Sequence, residues 1–183
     1  MNIVVAVTAA SGAIYARLTV ESLLRCESVG RIALIYSTHA AEVAEFEDEL
    51  MPSDERIDLY RNDDMFAPPA SGSADFDAMI VVPCSAGTLG RIASGVSQTL
   101  IERAADVMLK ERRPLVLALR EAPYSLIHIR NMAAVTECGA VVVPASPSFY
   151  SRPQNIDALC GTVVERIMRH IGADSPHYEW NGR

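Results

Sequence analysis

Two segments concentrate small and hydroxyl-bearing residues at points where a helix is about to begin. The first reads Thr8-Ala9-Ala10-Ser11-Gly12-Ala13, the second Pro83-Cys84-Ser85-Ala86-Gly87-Thr88-Leu89. Backbone N–H groups at a helix start, unscreened by bulky side chains, can cradle an anion, and the helix dipole favours a phosphate at the same point. The first segment lacks the spacing GxGxxG, which argues against a dinucleotide and leaves a mononucleotide phosphate open. Ser11, Ser85 and Thr88 equally suit plain helix capping, so neither segment decides the matter alone. Farther along, Arg120-Glu121-Ala122-Pro123 places a guanidinium beside a carboxylate. Lys110 is the single lysine beside 15 arginines, and an ammonium does point-charge and proton-transfer work that a guanidinium cannot. With Arg112 and Arg113 it also suits the end of a helix, where cations offset the dipole. Tyr150, within Pro147–Pro153, and Arg166 offer one more phenol and one more cation able to clasp a phosphate.

The elements that must position these groups follow from periodicity. Asn2–Thr8 is a continuous β-branched run, the pattern of a strand buried on both faces of a parallel sheet. Similar runs cover Ile32–Tyr36, Met79–Val82, Leu115–Leu119 and Ala140–Val143. Helical patterns lie between them at Ile14–Leu24, Ala40–Leu50, Leu89–Leu109, Leu126–Cys138 and Ile156–Ile171. Five alternations imply an α/β doubly wound parallel sheet built from right-handed βαβ units, with ligand sites beyond the carboxyl ends of the strands. Residues 51–77, with Pro52, Pro68, Pro69 and Ser71-Gly72-Ser73, are expected to form a long connection.

Composition narrows the function class. The 183 residues fit one domain, expected over residues 1–172 with a C-terminal tail at 173–183. Sixteen basic against 23 acidic residues, net −7, argue against a broad nucleic-acid or anionic-membrane face. No apolar stretch approaches the ~18 residues of a bilayer span. Cys26, Cys84, Cys138 and Cys160 lie far apart, and His39, His128, His170 and His177 are scattered, so no metal site is expected. No basic segment precedes the apolar start, and the expected location is cytoplasmic. Charge is uneven. Glu42–Asp77 carries 12 acids and 2 bases, a solvated surface, whereas Arg91–Arg130 carries 7 bases and 4 acids and can host an anion.

Six collinear strings are specific enough to carry a resemblance. They are ASGAIY (Ala10–Tyr15), PPASGS (Pro68–Ser73), PCSAGTL (Pro83–Leu89), LIERAADVMLKERRPLVL (Leu100–Leu117), REAP (Arg120–Pro123) and FYSRPQ (Phe149–Gln154). In this order they resemble the flavin prenyltransferases of the UbiX type, over Asn2 to about Ile171. The resemblance implies a single-domain, three-layer Rossmann-like flavoprotein fold. It implies transfer of the dimethylallyl group of dimethylallyl monophosphate to reduced FMN without a metal, closing a fourth ring on the flavin for use by a UbiD-type decarboxylase. It also implies a homo-oligomer, as large as a dodecamer. Residue by residue, it places FMN against Ala9, Ala10, Ser11, Ser37, Ser85, Ala86, Gly87, Thr88 and Arg120. The prenyl phosphate falls to Lys110, Tyr150 and Arg166 with Arg103 nearby, and the catalytic roles to Ser11, Glu47, Glu121 and Lys110, with Glu121 working with Ser11.

Elementary chemistry fits these implications. A monophosphate is a poor leaving group, so an ammonium, guanidinium groups and a phenol are apt partners for its developing charge. Ring closure must move protons, and a carboxylate paired with a serine hydroxyl can relay them. Two features depart from the family pattern: Ala9 stands where glycine opens the first turn, and Met65 and Phe66 precede PPASGS. Two alternatives remain. One is an FMN-dependent cysteine decarboxylase, whose PxMNxxM segment is absent from Pro144–Tyr150. The other is a non-catalytic flavin-binding accessory subunit, which has no need of Lys110, Tyr150, Arg166 and Glu121 together.

Overall fold

The computed structural model describes residues 1–173; the expected tail beyond residue 173, and His177 within it, lie outside the described residues. Six strands form one parallel sheet: β1 (Asn2–Val7), β2 (Arg31–Tyr36), β3 (Ile57–Arg61), β4 (Ala78–Cys84), β5 (Leu115–Leu119) and β6 (Val141–Pro144). Their order is β3-β2-β1-β4-β5-β6, the doubly wound arrangement whose direction of winding reverses between β1 and β4.

Side chains alternate across a strand, and β1 shows the consequence for packing. Ile3, Val5 and Val7 enter a core shared with α1 (Ala13–Arg25) and α6 (Ile156–His170). Val4 and Ala6 enter the opposite core, built with α3 (Ala86–Ala93) and α4 (Leu100–Lys110). Both faces are covered, which is why β1 after Asn2, β4 and β5 are apolar without a break. α2 (Ala40–Phe46) and α5 (Leu126–Glu137) complete the set. Among the described residues no helix is long and apolar enough to cross a membrane.

Three expectations about the elements are corrected. The connection at 51–77 contains β3, which pairs with β2 alone. An edge strand needs no apolar run, and Asp58 and Arg61 around a solvent-facing Leu59 conceal its period. The helix expected over Leu89–Leu109 is two helices. Gly95 adopts φ +68° and ends α3, and Thr99 with Glu102 forms a capping box that starts α4. α2 stops at Phe46 rather than Leu50, because Asp48 turns into the left-handed region at φ 58°. The rest of 51–77 is pinned to α4 and its exit. Arg103 Nε donates to Ala70 O at 3.0 Å, and Arg113 donates to the carbonyls of Gly72, Ala74 and Phe76, each at 3.0 Å.

Candidate active site

The carboxyl ends of β1 and β4 are joined through Thr8, whose amide donates to Pro83 O at 3.3 Å. Thr8 is buried; its Oγ1 donates to Pro83 O at 2.7 Å and accepts from Ser85 N at 2.9 Å. This brings the two small-residue turns side by side at the switch point. Ser37, immediately after β2, joins them from the other flank: its amide donates to Val7 O at 2.9 Å, and its Oγ accepts from Ala9 N at 3.1 Å. Gly12 is required at the head of α1. It adopts φ +104°, and a Cβ there would lie 2.9 Å from the Tyr15 ring.

The α1 turn does not present an open anion site. The Glu47 carboxylate sits on it, accepting from Gly12 N at 2.9 and 3.1 Å and from Ala13 N at 2.7 Å. Burial alone would raise the Glu47 pKa. The hydrogen bonds from Ser11 and from the Ala13 and Gly12 amides, with the Arg120 charge, outweigh burial and hold the carboxyl below its ordinary range. Glu47 is delivered by the left-handed Asp48 and by Glu49, whose Oε2 accepts from Arg17 Nε of α1 at 2.5 Å. Arg120 reaches the same place because its amide donates to Cys84 O at 3.0 Å, continuing β5 along β4. Tyr15, below this group, is pushed up to about 12 by burial and by Cys160, against the opposing Arg120 charge, and stays a neutral phenol.

The α3 turn is the open one. Ser85 Oγ accepts from Thr88 N at 3.2 Å and donates to Thr88 Oγ1 at 3.1 Å. Ala86 and Gly87 add no side chain beyond a methyl, and the amides of a first helical turn have no intrahelical acceptors. Cys84, just before the turn, has a thiol pushed up to about 12 by complete burial and is not a nucleophile.

With this geometry in view, the likeness to known proteins is specific. A family model described as Flavoprotein matches residues 1–171. The flavin prenyltransferase UbiX of Methanocaldococcus jannaschii is 41% identical over 178 residues, covering 96% of this chain and 95% of that protein. This chain belongs to the UbiX family of flavin prenyltransferases. Among solved structures, AnUbiX (PadA1), determined in complex with FMN and dimethylallyl pyrophosphate, superposes with a TM-score of 0.92 at 43% identity, covering 100% of this chain and 98% of that one. A dodecameric protein of Escherichia coli O157:H7, described as an FMN-dependent Ubix-like decarboxylase, gives a TM-score of 0.91 at 36% identity, with full coverage of both chains.

Within this UbiX-family chain the residues expected in the site fall into two groups. Ala9, Ala10, Ser11, Ser37, Glu47, Ser85, Ala86, Gly87, Thr88 and Arg120 converge on the switch point. Ser11 lies beside Glu47, and half-buried Glu121 accepts from the Ala122 amide at 3.0 Å. Lys110 stands elsewhere. α4 runs back against the strands, starting beside Asn62 at the carboxyl end of β3 and ending at Lys110, which pairs with Glu111 beside Gly72. A helix of that length spans about 16 Å, so Lys110 lies near the amino edge of the sheet, away from the Ser11 turn. Arg103, one turn into α4, is held by Asp106 at 2.6 Å and by Ala70 O. Tyr150 follows β6 and is 72% exposed. Arg166 lines a groove of about 320 Å³ between β6 and α6, with Ser148, Thr162 and His170. Sequence reasoning left Thr8, Arg91 and Glu102 without a role. The Thr99-to-Glu102 spacing was the available signal for the last of these.

Proposed function

We propose that this protein transfers the dimethylallyl group of dimethylallyl monophosphate to reduced FMN, making prenylated FMN for a UbiD-type decarboxylase in the cytoplasm. The observation that carries the reading is the pair of adjacent turns tied by Thr8, one open at α3 and one closed by Glu47 at α1. The residues fit FMN. A phosphomonoester suits the hydroxyls and first-turn amides of Ser85–Thr88, with Ser37 alongside. Ala9, Ala10 and Ser11 leave space for a flat ring, and Arg120 supplies a cation at its edge.

Reduced FMN, when bound, supplies the nucleophilic ring that accepts the prenyl group. The protein's own contribution is charge and proton management. Ser11, hydrogen-bonded to an ionised Glu47, can pass a proton between the reacting region and the carboxylate. Glu121, next to Arg120, offers a second carboxylate for the proton lost on ring closure. Arg103, Lys110, Tyr150 and Arg166 stabilise the departing phosphate. Lys110 stands apart from the Ser11 turn of its own chain, so it serves the site of a neighbouring copy in a homo-oligomer. Exposed Phe46, Leu50, Phe66, Leu126 and Ile127 support such an assembly. The family's cysteine-decarboxylating neighbours in fold space need the PxMNxxM segment that residues 144–150 lack.

The test is anaerobic incubation of the purified protein with reduced FMN and either dimethylallyl monophosphate or dimethylallyl pyrophosphate, followed by mass analysis of the extracted flavin. Flavin heavier by one five-carbon prenyl unit is expected, preferentially from the monophosphate. Unchanged flavin on a folded, FMN-loaded protein overturns the reading, and preference for the pyrophosphate overturns the donor assignment.

A further inference from the structure

Arg91 has no role in the site as drawn so far. Its backbone lies in the last turn of α3, where a cation is at ease with the helix dipole. Its side chain nevertheless folds back, as helical side chains lean, over the first turn of the same helix. Nη2 donates to Thr88 Oγ1 at 3.2 Å, and Nη1 lies 3.4 Å from the position a Cβ on Gly87 would occupy. A positive charge at the positive end of a helix is out of place unless something negative shares the position.

Glu102 is what holds it there. This carboxylate is 2% exposed. One oxygen accepts from Arg91 Nε, and the other accepts from the amides of Gln98 at 2.9 Å and Thr99 at 3.0 Å. An acid this buried, with both oxygens committed, is a fixed mount. The guanidinium is therefore aimed in advance, at no cost in ordering when a ligand arrives. Glu102 uses only the Nε edge, the Arg91 side chain remains 48% exposed, and its Nη1 stays near Gly87.

The hydroxyl pair points the same way. Thr88 is 2% exposed, and its Oγ1 accepts from both Ser85 Oγ and Arg91 Nη2. With its acceptor sites taken, the Thr88 hydroxyl is a donor, and no described residue accepts its proton. A buried hydroxyl proton without an acceptor, a preset guanidinium over a glycine and the orphan amides of Ala86 and Gly87 are all donors converging on one place. Their natural complement is a dianionic phosphomonoester.

We propose that Arg91, mounted on Glu102, is a ligand of the flavin phosphate and gives this protein its discrimination between FMN and riboflavin. The proposal rests on the reading of Ser85–Thr88 as the FMN phosphate turn. The experiment measures dissociation constants of FMN and riboflavin, by flavin fluorescence at fixed protein concentration, for the full-length wild type, R91A and R91Q. R91Q tests the charge with less change in side-chain bulk, should R91A fold poorly. Loss of a charge-assisted hydrogen bond predicts FMN binding weaker by about tenfold to a hundredfold in either variant, with riboflavin binding within about twofold. The E102Q variant, which keeps an acceptor oxygen for the Gln98 and Thr99 amides but frees Arg91, is expected to weaken FMN binding selectively and by less. If both arginine variants keep the wild-type ratio of FMN to riboflavin affinity, Arg91 does not touch the phosphate and the proposal fails while the FMN reading stands. If wild type itself does not prefer FMN to riboflavin, the assignment of the turn fails first.

Discussion

Glu47 offers the sharpest test of how the site is held together. Replacing it with alanine removes an acceptor for the Gly12 and Ala13 amides and for the Ser11 hydroxyl. Losing a helix-cap acceptor costs about 1 kcal/mol, and losing the favourable charge at the helix start costs about 0.3–1 kcal/mol more. Because Glu47 is only partly buried, water recovers some of the hydrogen bonding. The expected net loss for E47A is thus about 2 kcal/mol. For a chain of this size that corresponds to a melting temperature lower by roughly 4–8 °C. The E47Q variant keeps an acceptor but not the charge and should lose about half as much. The sign with pH follows from the lowered native pKa. Stability due to the ionised carboxylate is fully present above the unfolded value of 4.5 and is lost as pH falls through the lower folded value. Thermal melts followed by circular dichroism, at fixed protein concentration from pH 7 down to the acid limit of folding, should show a wild-type-to-E47A gap that narrows only on the acid side. A gap that is absent at pH 7, or one of constant size down to that limit, would refute the claim that an ionised Glu47 caps α1.

Two further outcomes follow from the same geometry. Thr8→Val removes the hydroxyl between Pro83 O and Ser85 N; Pro83 O keeps the Thr8 amide, but the Ser85 amide loses its acceptor, and a loss of about 1–3 kcal/mol in unfolding free energy is expected, with weaker FMN binding in titrations as the Ser85 turn shifts. Glu121→Gln should bind FMN with unchanged affinity yet stop short of ring formation, seen as altered spectra and mass of the extracted flavin, and normal turnover would remove Glu121 from the proton chemistry.

Much of the architecture is local in origin and was legible beforehand. The β-branched runs at Ile3–Val7 and Leu115–Leu119 are strands because both of their faces are buried, and Ser85 caps α3 because its hydroxyl reaches the Thr88 amide three residues on. The misreadings occurred where local signals conflict. β3 is a short edge strand in an acidic stretch, and Asp58 and Arg61 conceal its apolar period. The break between α3 and α4 depends on Gly95, whose left-handed backbone outweighs the helical pattern on either side.

By itself, the order of residues determined the parallel doubly wound sheet, the two small-residue turns at helix starts and the resemblance that names the family. Each of these depends on side chains a few positions apart or on contiguous strings. That Glu47 covers the α1 amides beside Ser11 was decided only by the tertiary structure. Glu121 and Glu47 are both acids near sheet ends, but the left-handed turn at Asp48 and the Arg17–Glu49 pair bring Glu47, 35 residues from Gly12, onto the α1 amides. The same holds for Lys110, carried by α4 toward the far edge of the sheet, and for Arg91, turned back on its own helix by a buried acid 11 residues away. Pairings of this kind depend on which loops the sheet order sets side by side, and spacing along the chain carries no record of that.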